Sequence, residues 1–125
     1  MSFAVGIEAD IVRVSMYGIL TRQDLTDLLA ASDAIDRGHD RIPPRLTDLR
    51  GVTEFQVSFA QVSGLAAART AARFPNAFRS ALLVSSPAQL GMANMYRTLN
   101  DNPQISIEVF EDEAAALAWL RNSPH

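Results

Sequence analysis

Apolar residues alternate with others at period two over "FAVGI" (Phe3–Ile7) and "DIVRVSMYGIL" (Asp10–Leu20), the spacing of strands with one buried face. Glu8, Ala9 and Asp10 form a tight connection between them, which predicts a β-hairpin. The period then lengthens. Leu25, Leu28, Leu29, Ser32 and Ile35 recur at helical spacing behind Thr21 and Asp24, a variant capping box, and predict a first helix over about 22–37. Gly38 reads as its stop, and Pro43-Pro44 as a rigid lead into a third strand, "RLTDL", which Gly51 ends.

Ser58 and Gln61 spell a second capping box, followed by an alanine-rich helix to about Phe74 that Pro75 terminates. "SALLVSS" (Ser80–Ser86) is a short continuous apolar strand, as expected where helices cover both sheet faces. Ser86, Pro87 and Gln89 then open a third helix running to about Asn100. Asn102-Pro103 breaks the chain before "ISIEVF", and Asp112 caps a last helix through "EAAALAWLR", with Asn122 to His125 expected to fray. The order ββαβαβαβα predicts one α/β domain over residues 1–125: a mixed, mostly parallel five-stranded sheet with an N-terminal hairpin and about four helices.

Composition narrows the chemistry. The 125 residues carry a net charge of −3, which disfavours general nucleic-acid binding. No apolar run reaches the length of a membrane span, and the N-terminus lacks the pattern of a signal peptide, so a cytoplasmic protein is expected. Cysteine is absent and every basic residue is Arg, which excludes thiolate, cysteine–zinc and lysine Schiff-base chemistry. No phosphate-binding glycine loop and no nucleophile elbow occur. Neither an enzyme nor a cofactor is expected.

Five groups of residues remain. Asp36, His39 and Asp40 read as a solvated polar turn, the alternative being a shared divalent ion; no metal site is expected. Ser58 sits where a helix start exposes unpaired N–H groups, so it is either a plain N-cap or a regulatory hydroxyl that a phosphate would suit; Ser63 is the weaker second candidate. Met92, Met95, Tyr96 and Leu99 widen the apolar arc of the third helix, either as core or as a partner surface. The alanines from Ala66 to Ala72 allow close packing or leave room beneath them for an apolar ligand. Arg69 and Arg73, one turn apart, could then hold its anionic head.

"YGILT", "LTDLRGV" and "VFEDEAAALAWL", in this order, resemble the STAS-like, SpoIIAA-like family of small bacterial regulatory proteins over nearly the whole chain. The resemblance implies a mixed sheet with helices packed on it and a serine, at the loop-to-helix junction after the third strand, that a partner kinase phosphorylates. Here Val57 stands in place of the phosphorylated serine, Ser58 matches the serine after it, and Gln56 replaces the preceding aspartate. The phosphoserine motif is therefore not intact. What the resemblance implies is a non-enzymatic regulatory or scaffold module for a protein partner, either a regulatory kinase or a second copy in a homodimer. The alternative, through the related CRAL-TRIO fold, is a carrier of an apolar or lipid-like ligand.

Overall fold

In the computed structural model, which describes residues 3–71 and 73–122, each strand after the hairpin joins the sheet beside the one before it. The elements are β1 (Phe3–Glu8), β2 (Ile11–Thr21), α1 (Arg22–Arg37), β3 (Arg45–Gln56), α2 (Phe59–Ala71), β4 (Phe78–Leu83), α3 (Pro87–Leu99), β5 (Ile105–Phe110) and α4 (Glu113–Arg121). Their order is the expected ββαβαβαβα. His125 and the end predicted to fray beyond Asn122 lie outside the described residues. The sheet runs β1-β2-β3-β4-β5, antiparallel in the hairpin and parallel thereafter.

Three crossovers stepping the same way across a sheet, each right-handed, must put their helices on one face. Leu25 of α1, Val62 of α2 and Ala93 of α3 accordingly share a core with Val14, Met16, Leu49 and Leu82. α4 follows the edge strand β5 and covers the other face, where Ala116 and Leu120 pack on Ile11, Leu46, Ala81 and Leu83. β4 is covered on both sides and is buried from Ser80 to Leu83.

Ala9 and Asp10 close the hairpin with φ of 49° and 65°. Two left-handed residues in a two-residue loop make a type I′ turn, whose twist matches that of the strands. Neither residue is the glycine or asparagine that takes this conformation most readily.

The structure moves four predicted boundaries. β3 does not end at Gly51 but continues to Gln56. That glycine serves a close approach between strands: a Cβ there would lie 2.8 Å from the Met16 carbonyl oxygen and 2.9 Å from the Tyr17 Cβ. The β2–β3 register slips on either side of it. β4 pairs with β3 only over Arg45–Asp48, so the later halves of β2 and β3 project beyond it as a two-stranded ribbon.

α2 is described as helix to Ala71 rather than Phe74. The Gln104 side chain holds Phe74 instead, its Oε1 accepting from the Phe74 N–H at 2.9 Å and its Nε2 donating to the Phe74 carbonyl at 2.8 Å. β4 starts earlier than predicted, at Phe78, and ends at Leu83. Ser85 and Ser86 belong to the start of α3, where Ser86 Oγ accepts from the Gln89 N–H and Gln89 Oε1 accepts from the Ser85 N–H.

Candidate functional site

Ser58 caps α2 reciprocally: its Oγ accepts from the Gln61 N–H at 3.2 Å, and its own N–H donates to Gln61 Oε1 at 2.8 Å. It is exposed, as is Phe59 after it, whereas Ser63 is half-buried within the helix. Four large apolar side chains are exposed among the described residues, namely Ile7, Tyr17, Ile19 and Phe59. Of these, Tyr17 and Ile19 belong to the projecting β2–β3 ribbon, and Phe59 opens α2 just after β3 ends. By strand alternation Tyr17 and Ile19 point away from Met16 and Leu20, hence away from the face that α1, α2 and α3 cover.

Val57 takes the opposite course and helps line a cavity of about 110 Å³ beneath α2. Val14 and Leu82 of the sheet, Leu28 of α1, Val62 of α2 and Met92 of α3 supply apolar wall. Arg45 of β3 and Arg69 of α2 also line it, and both side chains are more than nine-tenths buried. Asp36 of α1, equally buried, accepts from Arg45 Nη2 at 2.7 Å and from Arg69 Nη1 at 3.0 Å. Arg69 also stands 3.6 Å from the half-exposed Asp33.

Two phenylalanine faces complete the guanidinium surroundings, Phe78 at 5.7 Å from Arg45 and Phe74 at 5.1 Å from Arg69. Burial pushes the Arg45 pKa down, Asp36 opposing this and Arg69 adding to it. Burial likewise raises that of the Tyr96 phenol. Arg45 Nε is buried with no hydrogen-bond partner.

Of the predicted arginine pair, only Arg69 reaches the cavity; Arg73 is exposed and does not line it. Arg45 was missed and Asp36 was read only as part of a polar turn, although both carried a periodic signal. Arg45 shares strand parity with Thr47 and Leu49, and Asp36 continues the helical face of Leu25, Leu29 and Ser32. Met92, Met95, Tyr96 and Leu99, read above as either core or partner surface, are half-buried and pack against the helix-covered core. Asp36, His39 and Asp40 are not brought together. Asp36 turns inward to the arginines, and the His39 ring bonds the Ile35 carbonyl through Nδ1 at 2.7 Å. Among the described residues no acidic or histidine cluster is arranged to hold a metal, and no helix is long and apolar enough to cross a membrane.

On the α4 face, Glu113 accepts from Arg13 and Arg50, both at 2.8 Å, and the same two arginines contact Asp48 at 3.2 and 2.9 Å. Glu113 lies in the first turn of α4, so the network anchors that helix to β2 and β3.

A family model described as "Domain of unknown function (DUF7793)" matches residues 44–123. The chain belongs to this family. The matched segment of this DUF7793 protein starts just before β3 and omits the hairpin and α1, which complete the sheet and the cavity. No curated protein matches it. Among solved structures it is similar to an uncharacterized DUF3478-family protein with a SpoIIAA-like fold from Shewanella loihica PV-4, at 18% identity and a TM-score of 0.65 over 95% of this chain and 94% of that one. It is also similar to the anti-sigma factor antagonist SpoIIAA in its unphosphorylated form, at 16% identity and a TM-score of 0.58 over 97% and 99% of the two chains. The fold is SpoIIAA-like.

Proposed function

We propose that this protein is a non-enzymatic regulatory module of the bacterial cytoplasm that binds a protein partner through the carboxyl end of its β2–β3 ribbon. The observation that carries the reading is the exposure of Tyr17 and Ile19 on the ribbon, on the face that the first three helices leave open, and of Phe59 at the start of α2 beside an exposed helix-capping serine. Isolated exposed apolar residues are ordinary, but three at one end of a small domain suit a contact surface. The likeness in fold to an anti-sigma factor antagonist favours the same reading.

Ser58 would act within that surface. A phosphate there would add charge at a helix start, which the helix tolerates and an apolar contact does not. Asp at an N-cap is as good as Ser, so Ser58→Asp tests the charge without weakening the helix.

Native cell extract passed over the tagged full chain, with mass-spectrometric quantitation, tests the proposal. One partner should be enriched in stoichiometric amount, or the chain itself recovered as a dimer. Ile19→Asp and Phe59→Asp should each reduce recovery about tenfold or more while circular dichroism and melting stay as in the parent. A parent chain that stays monomeric in light scattering and enriches no partner would refute it, as would undiminished recovery by both variants.

A further inference from the structure

The cavity beneath α2 combines two features that core packing alone does not call for. Its walls are mostly apolar, yet it receives two guanidinium groups, and a gap of this size between tightly packed elements is unusual in an interior filled to crystal-like density. At about 110 Å³ it is comparable to the ~150 Å³ engineered apolar cavity that admits benzene, so it has room for an apolar group of about six carbons.

Its charge is unbalanced. Arg45 and Arg69 stay protonated, and of the carboxylates on them only Asp36 shares their burial; Asp33, at 3.6 Å from Arg69, is half-exposed to water. Two buried cations thus face one buried anion. The imbalance is localised: Asp36 engages an Nη of each arginine, while Arg45 Nε is buried with no partner, the state that buried donors almost always avoid. On the surface, a groove between α1 and α2, lined by Arg22, Thr26, Gln61 and Gly64, shares Leu25, Leu29 and Leu65 with the cavity, so these three side chains form the wall between the two.

The geometry points to a binding site for a small amphiphilic monocarboxylate, its apolar part among Val14, Leu82 and Val62 and its carboxylate on the Arg45 guanidinium. One negative charge balances the single excess positive charge, and a carboxylate oxygen supplies the acceptor that Nε lacks. The volume selects a short chain, so a full-length lipid is not the ligand. The ligand site does not depend on the partner surface proposed above.

Hexanoate and hexan-1-ol, equal in chain length and different in charge, are the probes, titrated into the full chain with methyl labelling and followed by NMR and thermal melting. Hexanoate should shift the methyl signals of Val14, Leu82 and Ile107 saturably and raise the melting temperature; hexan-1-ol should bind about tenfold or more weakly. Arg45→Met should abolish the preference for hexanoate. Ser32→Leu, which places bulk in the cavity and keeps both guanidiniums, should abolish binding of both probes.

Equal binding of the two probes, shifts confined to surface methyls, no saturation by hexanoate, or an undiminished preference in Arg45→Met would each overturn the assignment. If Arg45→Met does not fold, the comparison of probes on the parent chain and on Ser32→Leu still decides.

Discussion

At the scale of the residue, Asp36 carries the most weight. It is the one nine-tenths-buried carboxylate on two buried arginines, held by bonds of 2.7 and 3.0 Å. Removing one member of such a set leaves buried charge uncompensated, which costs several times more than losing an exposed pair. Asp36→Asn should therefore lower unfolding free energy by about 3 kcal/mol in urea titrations, against about 0.5 kcal/mol or less for Asp33→Asn. Similar losses for the two variants would show that the buried pair is not what matters. Helical spacing sets Asp36, of these two aspartates, on the face of Leu25, Leu29 and Ser32, but it does not show what meets that face. Only the inward turn of the α1 face beyond Ser32 gives one of them two guanidiniums and leaves the other half in water.

At the scale of the element, the hairpin and the helix starts were legible because their signals are local. Thr21 with Asp24, Ser58 with Gln61, Ser86 with Gln89 and Asp112 with Ala115 all cap as their spacing predicts. The type I′ turn was legible only as a tight connection, since Ala9-Asp10 is not a sequence such turns favour. Replacing the pair by Asn-Gly should raise stability by about 1 kcal/mol, read as a higher urea midpoint at unchanged slope; no gain would place the turn outside the left-handed region. Gly51 misled for the opposite reason. A glycine in a strand marks either an end or a close approach, and which of the two is settled by Tyr17, a residue distant in sequence.

At the scale of the whole molecule, two charged networks hold the layers together, one under α2 and one at the start of α4. In the second, hydrogen bonding from Arg13 holds the Glu113 pKa below its usual range. For Asp48 burial pushes upward, but bonds from Arg50 outweigh it and the net shift is also downward. Carboxylates depressed on folding contribute stability above their unfolded pKa of about 4 and lose it as pH falls through the folded values. Asp48→Asn should therefore flatten the acid limb of the stability curve, by at most about 1 kcal/mol, and leave the limb above neutrality unchanged. Urea midpoints measured across that range check this, and an acid limb as steep as the parent's would exclude the contribution.

The alternation of apolar positions and the capping residues by themselves determined the element order, the hairpin and the mixed parallel sheet, because strand parity, helical spacing and crossover handedness act over a few residues or by a general rule. The tertiary structure alone decided which polar residues meet. Arg45, Asp36 and Arg69 come from a strand and two helices 9 to 33 positions apart, and their pairing exists only once α1 and α2 lie side by side on one face of the sheet. The same packing set Met92, Met95, Tyr96 and Leu99 half-buried against the core and left Tyr17, Ile19 and Phe59 exposed. A side chain's exposure depends on what the rest of the chain places over it, and local spacing does not record that.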